Sequence, residues 1–195
     1  SSNNGQSWVT ADSGLPNENV GCLAMNGSTI FAGTWRGIFR STNKGVTWDS
    51  SNFGITKNRR IVQNDTIFDL PGCCPIGANS KYIFAVTNSG VYRSSDNGAS
   101  WIHADSGIIP ELITNAVITS MLVNEDNVFI GIFTGNLIYA WNEKDSNWMR
   151  FNGAKSDLNG IYCLAANKRI FFAGTAGYKK ICIATDTGLT WQSIN

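Results

Sequence analysis

Short apolar runs closed by polar turns follow one another along the whole chain, and no stretch carries the period of an amphipathic helix. Val20-Gly21-Cys22-Leu23-Ala24-Met25 ends at Asn26-Gly27, a dipeptide suited to the positive φ of a tight hairpin. Thr29 to Thr34 comes next, then a turn at Trp35-Arg36-Gly37, then Ile38 to Ser41, and after a further turn Val46-Thr47-Trp48. This predicts four antiparallel strands in about thirty residues. Two later stretches repeat the plan. In one the strands are Val117 to Val123, Val128 to Phe133, Leu137 to Trp141 and Trp148 to Phe151; in the other, Ile161 to Ala166, Ile170 to Thr175, Lys180 to Ala184 and Leu189 to Ile194. The unit between them is regular in Tyr82 to Val86, Gly90 to Ser94 and Ala99 to His103. Its entry, Ser51 to Pro75, is about ten residues longer than the other connections and unusually charged.

The units end alike. Ser94-Ser95-Asp96-Asn97-Gly98-Ala99-Ser100-Trp101 has the form Ser-x-Asp/Asn-x-Gly-x-x-Trp, as do Ser1, Asn3, Gly5, Trp8 and Ser41, Asn43, Gly45, Trp48. Asp186, Gly188 and Trp191 repeat it with Ala184 in the serine place. A decayed copy ends at Trp148, with Trp141, Glu143 and Asp145 in the earlier places. The tryptophans at 8, 48, 101, 148 and 191 stand 40, 53, 47 and 43 residues apart, a repeat of supersecondary units. In each copy Asp or Asn accepts backbone N–H bonds from just ahead, and glycine supplies positive φ. Tryptophan then opens the next strand with a large apolar face.

This pattern resembles the Asp box, or BNR repeat, of sialidase-like β-propellers, and the resemblance covers essentially the whole chain. It implies an all-β fold, a β-propeller of four-stranded antiparallel blades in one domain spanning 1–195. About four complete blades are expected, near 20–50, 66–104, 117–152 and 160–195. Residues 1–10 read as an extra N-terminal outer strand, although the last blade already has its own. The expectation is therefore a segment of a larger propeller, or a partial ring completed by another copy or by further blades. Asp boxes in that family lie away from the ligand face and recur in sialidases, xyloglucanases, sortilin-type receptors and photosystem assembly factors. They speak to fold and not to activity.

Composition narrows the function classes. Charged residues are 15% of the chain and the formal net charge is +1, which gives no nucleic-acid or acidic-membrane footprint. No apolar run approaches the roughly 18 residues of a membrane span. Polarity comes instead from Ser, Thr, Gly and 22 asparagines, a surface common among extracellular repeat proteins. Asn26-Gly27-Ser28 and Asn64-Asp65-Thr66 match the glycosylation triplet. The cysteines at 22, 73, 74, 163 and 182 form no pair of Cys-x-x-Cys units and have one histidine for company, so no metal site or cofactor is expected. Cys22 and Cys163 occupy equivalent places, Val-Gly-Cys-Leu-Ala and Ile-Tyr-Cys-Leu-Ala, and read as small buried strand residues. Adjacent Cys73 and Cys74 leave a disulfide open.

The resemblance implies that the turn between second and third strands and the connections between blades form the ligand face. Trp35, Arg36, Phe133, Tyr178 and Lys179 at those turns, with Arg59 and Arg60 in the long connection, are candidate binding residues for a polysaccharide or a protein. A glycoside hydrolase of the xyloglucanase or endo-β-glucanase kind would need two facing carboxyl groups, for which Asp65, Asp69 and Glu111 are the candidates. The Arg-Ile-Pro entry motif of sialidases is missing. His103, which follows an Asp-box tryptophan with no nucleophile-elbow serine or cysteine nearby, reads as a hydrogen-bonded structural histidine. A secreted or cell-surface binding or scaffold module is the leading reading, with the hydrolase second.

Overall fold

A computed structural model describes residues 1–17, 19–56, 58–62, 65–69, 73–87, 89–110, 118–134, 137–151, 160–167, 169–176, 181–185 and 190–194, the segments 58–62, 65–69 and 73–74 in backbone only. The apolar runs form four four-stranded antiparallel sheets, each in simple up-and-down order. Blade 1 is β1 (Val20–Asn26), β2 (Thr29–Thr34), β3 (Gly37–Ser41) and β4 (Asp49–Ser50). The long connection folds back on itself as a separate hairpin, β5 (Asn58–Val62) and β6 (Asp65–Asp69). Blade 2 is β7 (Cys73–Ala78), β8 (Ile83–Thr87), β9 (Gly90–Ser94) and β10 (Ile102–His103). Blade 3 is β11 (Ile118–Asn124), β12 (Asn127–Ile132), β13 (Leu137–Asn142) and β14 (Asn147–Arg150). Blade 4 is β15 (Ile161–Asn167), β16 (Ile170–Thr175), β17 (Ile181–Ala184) and β18 (Gln192–Ile194).

The blades pack face to face in chain order. Each innermost strand touches the next, β1 on β7, β7 on β11 and β11 on β15, whereas β1 and β15 do not pack in that way. The result is an open arc of propeller blades, and its core lies in three layers between successive sheets. Phe31 and Ile38 of blade 1 meet Ile76, Ile83, Ala85, Tyr92 and Trp101 of blade 2. Phe84, Val86 and Val91 of blade 2 meet Ile130, Tyr139, Trp141 and Trp148 of blade 3. Phe129 and Ile138 of blade 3 meet Phe171, Ala173, Cys182 and Trp191 of blade 4.

The Asp-box turns show why the motif is spelled as it is. Ser94 Oγ donates to Asp96 Oδ1 at 2.7 Å and accepts the Gly98 N–H at 2.8 Å, while Asp96 Oδ1 accepts the Ser100 N–H at 2.8 Å. Ser41, Asn43, Gly45 and Thr47 repeat these bonds, and so do Ser1, Asn3, Gly5 and Ser7. In each turn two successive residues sit at positive φ, Asn4–Gly5, Lys44–Gly45 and Asn97–Gly98. The tryptophan that follows is clamped by the segment that leads into its blade: the Trp48 N–H donates to Ser13 O, that of Trp101 to Phe53 O and that of Trp148 to Ser106 O, at 2.8–2.9 Å. Its indole N–H is satisfied as well, Trp48 on Ala11 O at 2.9 Å and Trp148 on Ala104 O at 2.6 Å.

Three features depart from the sequence expectation. Residues 1–7 form the Asp-box turn, but residues 8–10 pair with no strand, and Trp8 lies 78% exposed. The decayed copy in blade 3 is an ordinary hairpin. Without a serine and a glycine in the motif places, β13 and β14 continue pairing through Trp141↔Trp148 to Asn142↔Asn147, and the two indoles pack at 5.4 Å. Cys163 is exposed where burial was expected, because the face of blade 4 that carries it meets no following blade, whereas Cys22 packs on the layer between blades 1 and 2. The side chains of Cys73 and Cys74, and with them the open disulfide, lie outside the described residues, as does most of the fourth full Asp box.

Asp96 titrates abnormally because of this turn. Hydrogen bonds from the Ser100 hydroxyl and N–H and from the Ser94 hydroxyl hold its carboxyl down at about 2. A carboxylate lowered in the folded state stabilises above its unfolded pKa, and that contribution disappears as pH falls from about 4 toward about 2. Asp96→Asn should keep the turn, since Asn43 makes the same one with its Nδ2 donating to Thr47 Oγ1 at 2.8 Å, but should lose at pH 7 the stability that the ionised carboxylate contributes. It should also flatten the loss of stability below pH 4, which denaturant titrations at pH 7, 3 and 2 would read; an unchanged acid slope would contradict the assignment.

Candidate functional site

The ends of the blades opposite the Asp boxes carry the turns between second and third strands and the exits toward the next blade. In blade 1 the turn is built by Thr34, whose hydroxyl donates to Gly37 O at 3.0 Å and accepts the Arg36 N–H at 3.0 Å. Asn52, from the blade exit, bonds both backbone groups of Ile38, at 2.8 and 3.0 Å, and stands where any Cβ on Gly37 would fall. Trp35 is thus carried at the tip of a turn fixed from beneath, 65% exposed, with Arg36 exposed beside it. Blade 2 repeats the device: Thr87 Oγ1 donates to Gly90 O at 3.0 Å and accepts the Ser89 N–H at 3.1 Å.

Below the Ser89 turn lies a polar network that also anchors the long connection. Tyr92, fully buried, bonds His103 Nε2 at 2.8 Å through its hydroxyl, which also accepts the Thr56 N–H at 3.2 Å. His103 Nδ1 lies 3.3 Å from Asp105 Oδ2. An ionised Asp105 places the imidazole proton on Nδ1 and leaves Nε2 to accept from the tyrosine. Ser89 Oγ lies 3.2 Å from Tyr92 Oη and donates to Thr56 O at 3.3 Å. The network ties the β8–β9 turn to the approach to hairpin β5–β6, and His103 is hydrogen-bonded within it.

The described candidates fall on blades 1 and 3 and on hairpin β5–β6. Trp35 and Arg36 belong to blade 1. Arg59, Arg60, Asp65 and Asp69 belong to hairpin β5–β6, between blades 1 and 2, where Arg59 pairs with Phe68, Arg60 with Ile67, Val62 with Asp65 and Asn58 with Asp69. Phe133 closes β12 in blade 3 and is half-buried, its ring 5.0 Å from that of Tyr162 on β15. Tyr162, more exposed than Phe133, was missed because it sits inside an inner strand rather than at a turn. Glu111, Tyr178 and Lys179 lie outside the described residues.

A concavity opens at the Asp-box end between blades 2 and 3. It holds about 400 Å3 and is lined by Lys81, Asp126, Trp141, Asn142, Glu143 and Lys144 among others. Lys81, Glu143 and Asp126 are already partnered there. Burial works against the Glu143 carboxylate, but the Trp141 indole N–H and Lys81, 3.1 Å away, hold its pKa below the usual range. The Ser80 hydroxyl and N–H lower that of Asp126. Arg93, on the strand between, lies over the rings of Tyr82 and Trp141 at 4.6 and 5.2 Å, a cation–π joint between the two blades.

The fold is an all-β propeller arc of four blades, and solved structures of the same build are known. The extracellular domain of a putative one component system from B. thetaiotaomicron matches with a TM-score of 0.63 at 17% identity, over 92% of this chain and 23% of that one. An ancestral GH74 enzyme matches with a TM-score of 0.60 at 19% identity, over 95% and 25%. The computationally designed Ika4 protein matches with a TM-score of 0.60 at 11% identity, over 92% and 99%. The chain thus spans about a quarter of the two larger structures and nearly all of the designed one. No protein-family model matches the sequence, and no curated protein matches it. Among the described residues no helix is long and apolar enough to cross a membrane.

Proposed function

We propose that the chain is a ligand-binding module of the cell exterior, receiving a polysaccharide or a protein segment on the end of the blades opposite the Asp boxes. Trp35 carries this reading. A flat apolar ring at the tip of a turn pinned by Thr34 and Asn52 is held out to solvent before any ligand arrives, so little ordering entropy opposes binding. Such a ring stacks on sugars or enters a protein pocket, and Arg36 beside it supplies directional donors. Phe133 follows the second strand of blade 3 as Trp35 does that of blade 1, and Arg59, Arg60, Tyr178 and Lys179 are the further candidates that the sequence supplies. The sparse charge, the asparagine-rich surface and the likeness to an extracellular domain support a location outside the cell.

Screening soluble polysaccharides and peptides for binding, then repeating the measurement with Trp35→Ala, tests the reading. The variant should keep its fold and bind roughly tenfold or more weakly; unchanged affinity would remove Trp35 from the site.

The hydrolase reading draws its support from the likeness to the GH74 enzyme and from the acids of the long connection. Asp65 and Asp69 stand at the two ends of β6, four residues apart. That is about 13 Å of strand, against roughly 5 to 9.5 Å between the carboxyl groups of a glycosidase pair. A hydrolase built here would set one of them against Glu111. Turnover of a β-glucan, abolished by Asp65→Asn or Asp69→Asn, would establish it, and binding without turnover would favour the module.

A further inference from the structure

Blades 1 and 2 carry an arginine at the same repeat position, directly before the Asp-box serine. Cross-strand pairing turns both side chains toward the following blade, Arg40 beside Phe31 and Arg93 beside Phe84. At the first joint the guanidinium is satisfied. Arg40 Nη1 donates at 2.8 Å to the carbonyl of Asn97, one of the two positive-φ residues in the Asp box of blade 2.

At the second joint the box has decayed. Lys144 holds the place of Asn97, the positive φ has moved to Ser146, and no carbonyl of that turn receives Arg93. The guanidinium lies instead over the rings of Tyr82 and Trp141, and Nη1 is buried without a hydrogen-bond partner. Ring faces attract the charge, but they offer no lone pair to N–H groups in the guanidinium plane. A buried donor left in this way costs stability that a bound oxygen would restore. Beside it lies a cavity of about 170 Å3, lined by Tyr82, Arg93, Ser95, Ser100 and Ile102. This joint has a whole blade on either side, at the end of the arc opposite Trp35.

We infer that the cleft between blades 2 and 3 binds a carboxylate group, held by the fork of Arg93 with the Ser95 hydroxyl as a further donor. A carboxylate is planar and matches the guanidinium edge with two parallel bonds. Charge also selects it over sulfate or phosphate. Asp96 accepts the Ser100 hydroxyl at the cavity wall, and Glu143 accepts the indole N–H of Trp141. Both carboxyls are held below their usual pKa and are ionised at pH 7. They oppose a doubly charged anion about twice as strongly as a singly charged one.

Titrating the intact protein with sodium acetate at pH 7, against sodium chloride at equal ionic strength, reads binding in the nuclear magnetic resonance shifts of the Tyr82 and Trp141 rings. The unaltered chain should saturate in the millimolar range, and sulfate should bind more weakly than acetate. Arg93→Gln should abolish saturation. Arg93→Lys, which keeps a cation over the rings but loses the fork, should weaken it roughly tenfold. Arg40→Gln, at the joint where the donor is already satisfied, should leave the response unchanged. The peptide acetyl-Ala-Asp-Ala-amide, compared with its Asn counterpart, separates two sources of the group: binding tighter than acetate places the carboxylate on a protein chain, and binding no tighter places it on a small molecule. A response to acetate no larger than to chloride, tighter binding of sulfate, or saturation that survives both changes at Arg93 would overturn the inference.

Discussion

Replacing Trp148 by alanine is expected to lower the unfolding free energy by about 3–5 kcal/mol, while the same change at Trp8 is expected to stay within about 0.5 kcal/mol. Both residues end a copy of one repeat, so the difference measures what the repeat anchors. Trp148 is 1% exposed. It packs on Phe84 of the preceding blade at 5.6 Å and on Trp141 at 5.4 Å. Its backbone and indole N–H groups donate to Ser106 O and Ala104 O. Deleting the indole leaves a void in the layer between blades 2 and 3 and strands the Ala104 carbonyl. Trp8 has no preceding blade among the described residues, and its indole bonds only its own turn, at Gly5 O. Urea denaturation of both variants reads the contrast; equal losses, or a small loss at Trp148, would show that the tryptophans do not join successive sheets.

The second large effect is expected at Gly107, where alanine should lower stability by roughly 3 kcal/mol or more. Gly107 has φ +90, and a Cβ there would stand 2.0 Å from the carbonyl oxygen of Trp148. Neither atom can give way, because the neighbouring Ser106 carbonyl holds the Trp148 N–H at 2.8 Å. Gly14 and Gly54 repeat the approach against Trp48 and Trp101. Gly27→Ala is the internal comparison: φ is +57 with nothing within 4 Å of the added carbon, so only the left-handed backbone opposes it, at about 1 kcal/mol. Thermal or urea midpoints of the two variants decide the matter, and a Gly107→Ala protein no weaker than Gly27→Ala would mean the clamp between connection and tryptophan is not rigid.

These two residues also mark where the sequence was readable. Serine, Asp or Asn, glycine and tryptophan at fixed offsets act within eight residues of one another, so spelling alone disclosed the turn, the strand after it and the repeat. The clamp from Gly107 to Trp148 was not readable, because its partner lies 41 residues on and the glycine resembles any loop glycine. Long-range partnership likewise decided Cys163. Its local spelling equals that of Cys22, and only the presence or absence of a following blade separates a half-buried thiol from an exposed one. In blade 3 the decay was legible too: with Trp141 and Asp145 in the serine and glycine places the turn's bonds are not made, and β13 and β14 pair through Trp141 and Trp148 instead.

The candidate site was legible to a smaller degree. Trp35 and Arg36 stand where a turn tip was expected, because Thr34 and Gly37 spell that turn locally. Phe133 was read from the same position in blade 3 but turns toward Tyr162, a contact between blades that no local pattern announces. The long connection was recognised by its charge and length. Its folding into a hairpin of its own was not, since Arg59, Arg60, Asp65 and Asp69 mask the alternation that marks a strand.

The most direct test of a propeller arc built from tryptophan-anchored blades is a map of ring-to-ring nuclear Overhauser contacts in the intact chain. The account predicts contacts between Phe31 and Trp101, Phe84 and Trp148, and Phe129 and Phe171, each joining one blade to the next. Absence of these contacts, or a contact from Phe31 to Trp148 that skips a blade, would contradict it.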